Sequence, residues 1–64
     1  MIRNKLKSYR HKHEMNQREF SAFLGVNHSL YNRWEKQHGQ PSREWLFKLA
    51  AKLECKIEDL ITLE

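Results

Sequence analysis

Sixty-four residues, 39% of them hydrophobic, make one small domain spanning residues 1–64, and they leave too little interior for a catalytic cavity, so no enzyme is expected. Cys55 alone cannot close an internal disulfide and fits a reducing compartment. No apolar run nears the length of a membrane span, and Met1-Ile2-Arg3 opens no signal-peptide core, so a cytoplasmic protein without membrane attachment is expected.

Residues 2–13 are predicted as the first helix, with Ile2, Leu6 and Tyr9 on one side and Lys5, Lys7, His11 and Lys12 outside. His11 and His13 stand two apart, on different helix faces, with no third ligand in reach, so no metal or other cofactor is expected. His13 to Met15 form the connection, with Met15 turned toward the core. Asn16 followed three residues on by Glu19 is a capping-box start for a second helix, Gln17 to Leu24, with Phe20, Phe23 and Leu24 apolar. Gly25 stops it, because a left-handed residue closes a helix most cheaply without a Cβ.

Asn27 can then cap a third helix through Lys36. At about 100° per residue, Leu30, Tyr31 and Trp34 share one arc, a core face. His28, Ser29, Asn32, Arg33 and Lys36 share the other, a row of donors and acceptors with no acid in it. That row suits base edges and phosphates in a DNA major groove, and a solvated helix face is the plain alternative.

Gln37-His38-Gly39-Gln40-Pro41 is the clearest loop, and Ser42 caps a fourth helix whose stripe is Leu46, Leu49, Ala50 and Leu53. Trp45 and Phe47 lie off that stripe. Glu54-Cys55-Lys56 breaks the pattern before a fifth helix from Ile57 to about Thr62. No segment alternates like a strand. The fold class expected is all-α, a compact bundle of five short helices. Charge is uneven: residues 1–16 set five cations against Glu14, whereas residues 41–64 carry five acids against four cations. A polyanion is the natural partner of such a basic half.

The chain resembles the lambda repressor-like and Cro-like helix-turn-helix family, also called the XRE family. The resemblance is carried by Asn16-Gln17, Phe20-Ser21, Leu24-Gly25-Val26-Asn27, Tyr31-Asn32 and Trp34-Glu35, and after the loop by Pro41-Ser42, Leu46, Leu49-Ala50, Leu53 and Ile57-Glu58-Asp59-Leu60. It covers essentially the whole chain. It implies that Gln17 reaches the DNA backbone, that His28, Ser29, Asn32 and Arg33 read base edges with Lys36 beside them, and that Asn27 and the 37–40 loop, His38 included, grip phosphates. It also implies that Arg10 and Glu35 form a structural pair joining the first helix to the end of the third.

This sequence departs from the family pattern at five places. Tyr31 stands where a β-branched aliphatic is usual, Ser21 replaces Ala, the 37–40 loop lacks the usual Lys/Arg content and first Gly and so has a weaker phosphate grip, Glu54 replaces a C-capping Gly, and Lys56 is a poor N-cap.

The expected function is sequence-specific binding of double-stranded DNA by a small bacterial or phage transcription regulator of Cro/C1 type, acting as a repressor. Its operator would be pseudo-palindromic, bound by a homodimer joined through Trp45, Phe47, Leu60, Ile61 and Leu63. The alternative is a protein-interaction module, an antitoxin or adaptor on the same scaffold.

Overall fold

The computed structural model describes every residue from Met1 to Glu64. In chain order the elements are strand β1 (Ile2–Asn4), helix α1 (Leu6–Lys12), helix α2 (Gln17–Leu24), helix α3 (His28–Glu35), helix α4 (Arg43–Leu53), helix α5 (Ile57–Leu60) and strand β2 (Ile61–Leu63). The five expected helices are present, and no helix is long and apolar enough to cross a membrane.

Local chemistry sets most of the boundaries. Asn16 and Glu19 form the reciprocal capping box, with Oδ1 of Asn16 accepting from the Glu19 N–H at 2.8 Å and Oε1 of Glu19 accepting from the Asn16 N–H at 2.9 Å. Gly25 closes α2 at φ 75°, the left-handed region that favours a residue without Cβ. Asn27 caps α3, its Oδ1 accepting from the N–H groups of Ser29 and Leu30, and Ser42 caps α4 through the Trp45 N–H. Lys56 does lack a side-chain cap, but the Asp59 carboxylate accepts its N–H at 3.0 Å. Glu54 replaces the usual glycine yet still adopts φ 53°, so the turn is kept and the side chain bears the strain.

The two ends of the expected bundle are corrected. Residues 2–4 are strand, not the first turn of a helix, and the last expected helix stops at Leu60 and continues as strand. The strands pair antiparallel, with Ile2 opposite Leu63, Arg3 opposite Thr62 and Asn4 opposite Ile61. Each is three residues long, too short for an alternation to be visible, and the pairing joins opposite ends of the sequence.

The core comprises Leu6, Phe20, Leu24, Val26, Tyr31, Trp34, Leu49, Ala50, Leu53 and Leu60, with Met15 and Cys55 packed at its margin. Tyr31 is wholly buried, its ring edge-on to Phe20 at 5.7 Å. The interior thus accepts an aromatic ring where the family usually has a branched aliphatic.

Candidate nucleic-acid interface

Helix α3 is held by its apolar side and by its acid. Tyr31 and Trp34 are buried beneath it, and Trp34 meets the Trp45 ring edge-on at 5.5 Å. Glu35 turns inward to Arg10: Nη2 of Arg10 donates to Oε1 at 2.8 Å and Nε to Oε2 at 3.0 Å. Nη1 of Arg10 also donates to the Met15 carbonyl at 3.2 Å, so one guanidinium ties α1, the turn before α2 and the end of α3. Burial alone would raise the Glu35 carboxyl, but the hydrogen bonds from Arg10 and Gln17 and the Arg10 charge outweigh it and hold the group at about 2. Burial likewise pushes the Tyr31 phenol far above its ordinary value. Its hydroxyl lies against the Arg10–Glu35 pair but has no hydrogen-bond partner in normal geometry.

The outward side of α3 is what that anchoring leaves. His28, Ser29, Arg33 and Lys36 are exposed and Asn32 is half-buried. No acid faces out beside them, since the helix's one carboxylate is paired with Arg10 beneath it. The result is a cationic, donor-rich helix face about two turns long, a shape and charge suited to a groove lined by phosphates. Arg33 lies along the following loop, its Nη2 within 3.9 Å of the place a side chain on Gly39 would begin.

The flanking candidates are less uniform. Asn27 is exposed, but its side-chain oxygen is engaged in capping α3. Gln17 is half-buried, and its Nε2 donates to Oε1 of Glu35 at 3.2 Å, which leaves one amide proton and the amide oxygen for any other partner.

The 37–40 loop divides in two. His38 is exposed, whereas Gln37 and Gln40 turn back onto the buried Asn4. Nδ2 of Asn4 donates to the Trp34 carbonyl at 2.7 Å and to Oε1 of Gln40 at 2.8 Å. Gln37 exchanges two 3.0 Å hydrogen bonds with the Asn4 main chain. These three amides set the exit of α3 and went unnoticed in the sequence, where nothing local links position 4 to position 37.

Two further sequence expectations fail. Leu30, expected in the core, is 36% exposed and flanks the outward face on the Arg33 side, because the burying contacts centre on Tyr31 and Trp34. Leu60, expected at a dimer interface, is wholly buried inside the protein. Of the other interface candidates, Trp45 and Ile61 are half-buried, while Phe47 and Leu63 are 61% and 83% exposed. His13, weighed as a metal ligand, instead places its ring against Phe20 and Phe23.

Known proteins share this arrangement. A family model described as helix-turn-helix matches residues 6–60. The chain is 36% identical over 63 residues to the uncharacterised HTH-type transcriptional regulator MJ0272 of Methanocaldococcus jannaschii, covering 98% of this chain and 96% of that protein. Among solved structures, a Bacteroides fragilis protein proposed to bind DNA superimposes with a TM-score of 0.81 at 26% identity, over 97% of this chain and 100% of that one.

Proposed function

The chain belongs to the helix-turn-helix family of DNA-binding transcription regulators, and from that premise we propose that it is a cytoplasmic repressor that lays α3 in the major groove of a pseudo-palindromic operator, one copy on each half-site. The observation that carries this reading is the exposure of His28, Ser29, Arg33 and Lys36 on one side of a helix whose other side is buried. Arg33 is assigned to guanine, where a bidentate pair discriminates by about 1–3 kcal/mol. Asn32 and Ser29 are assigned to neighbouring base edges. Gln17, Asn27, Lys36 and His38 hold phosphates and so fix register. The mechanism is occupancy without chemistry: a bound operator excludes polymerase.

A selection of bound sequences from a random DNA pool, repeated with Arg33→Ala, tests it. The expected result is a two-fold consensus that loses its preference at one base per half-site in the variant, with residual binding kept. A uniform fall across sequences would reassign Arg33 to a phosphate. Affinity that does not fall steeply between low and high salt would remove the DNA reading and favour a protein partner.

A further inference from the structure

Leu30 is the one large apolar side chain of α3 that the fold leaves uncovered. It occupies the first turn, where its N–H donates to Oδ1 of Asn27 at 3.3 Å, and it is 36% exposed. The next residue, Tyr31, is wholly buried, and Trp34, one turn on, is 3% exposed. Leu30 belongs neither to the ten-residue core nor to the apolar side chains packed against it. The other large exposed apolar side chains, Met1, Ile2, Phe47 and Leu63, lie elsewhere in the fold. Leu30 instead stands among polar residues: His28 and Ser29 precede it, and Arg33, three positions on, is its outward neighbour on the helix.

A row of donors and cations recognises phosphates and the polar edges of bases, and a leucine can recognise neither. Within a major groove the apolar feature open to it is the C5-methyl group of thymine. Residues three apart on a helix carry their Cβ atoms about 5–6 Å from one another, whereas successive base pairs are stacked about 3.4 Å apart. A leucine beside an arginine that grips guanine therefore falls over an adjacent base pair and not the same one.

We propose that Leu30 reads the C5-methyl of a thymine next to the guanine held by Arg33, so that each half-site carries a thymine and a guanine in adjacent base pairs. The proposal rests on the assignment of α3 to the major groove, and it adds a contact made by dehydration to those made by hydrogen bonds. Because the methyl group is what is read, 5-methylcytosine should be bound in preference to cytosine at the same pair.

The test is binding of the Met1–Glu64 chain to its selected sequence, with each thymine exchanged in turn for 2′-deoxyuridine, which pairs alike and lacks only the C5-methyl. At one position per half-site the exchange should weaken wild-type binding about fourfold, the loss of one buried methyl group. That position should adjoin the pair at which Arg33→Ala loses its preference. Leu30→Ala should bind the thymine and uracil duplexes equally, and Leu30→Met, which keeps an apolar tip, should restore the difference. Wild-type binding indifferent to every exchange overturns the proposal, and that measurement needs no variant to fold. A fourfold loss that Leu30→Ala leaves unchanged also overturns it, because the methyl is then read by another residue or through the shape of the duplex. A chain that binds no sequence with a steep salt dependence removes the operator reading itself, whereas a selected consensus without a methyl preference removes only the role of Leu30.

Discussion

The guanidinium of Arg10 and the carboxylate of Glu35 meet through two hydrogen bonds, at 2.8 and 3.0 Å, with side chains only 15% and 5% exposed. A bidentate pair this sheltered fixes the angle between α1 and α3, and removing one partner strands the other charge away from water. Arg10→Met should therefore destabilise the fold by about 3 kcal/mol near neutral pH, and Glu35→Gln by less, since a neutral amide can still bond to its neighbours. In the double variant the cost should be smaller than the sum. Urea denaturation of the four proteins measures all three values.

The same pair gives a pH dependence of known sign. Glu35 sits at about 2 in the folded chain, below its unfolded value of about 4.3. The unfolded chain thus takes up the proton first, and the stability from this group, complete above about pH 4.5, is lost as pH falls toward 2. Arg10→Met raises the folded value. The gap in stability between it and the wild type should narrow across that window, and urea midpoints measured from pH 6 to pH 2.5 follow it. A gap that stays constant would mean Glu35 does not titrate with unfolding.

Tyr31 separates volume from hydroxyl. Its ring is wholly buried and edge-on to Phe20, so Tyr31→Ile, the residue type the family usually carries, leaves a void and should cost about 2–4 kcal/mol. Tyr31→Phe removes a hydroxyl with no partner in normal geometry and should change stability by less than about 1 kcal/mol. A loss above about 2 kcal/mol for Tyr31→Phe would show that the hydroxyl donates to Glu35.

Glu54 holds φ 53° at the end of α4, with its N–H bonded back to the Ala51 carbonyl. A Cβ in that region is strained, and a carboxylate at a helix C-terminus faces the negative end of the dipole. Glu54→Gly relieves both and should raise stability by ~0.5–1 kcal/mol, a rise of about 3–6 °C in Tm by differential scanning calorimetry.

What was legible in the sequence was what is decided within one helical turn. The Asn16–Glu19 box, the Gly25 stop and the Asn27 and Ser42 caps each link residues at most three apart, and all four stand as expected. The Arg10–Glu35 contact crosses 25 positions and came from family likeness alone. Leu30 sits at the margin of its arc, where only the neighbouring elements decide whether a leucine is covered. The ribbon joins Ile2 to Leu63; its strands are too short to show a period, and Ile2 and Leu6 are spaced as a helix would space them.

Asn4 is where that distant pairing meets the end of α3. Its side chain, 7% exposed in the residue as a whole, bonds to the Trp34 carbonyl, to Gln40 and to the Leu6 N–H, while its main chain bonds to Gln37. Asn4→Ala keeps the main-chain bonds to Gln37 but leaves the Trp34 carbonyl, the Gln40 side-chain oxygen and the Leu6 N–H without that partner, and should cost about 2–3 kcal/mol. Asn4→Leu should cost more, because the added bulk brings no hydrogen bond to the Trp34 carbonyl. Amide hydrogen exchange locates the damage: protection should fall at Lys5 and Gln37, beside the lost bonds, and persist at Phe20 and Tyr31 in the core. Exchange that accelerates uniformly would mean the amides support the whole fold equally, and Asn4 would then lose its role as the link between the ribbon and α3.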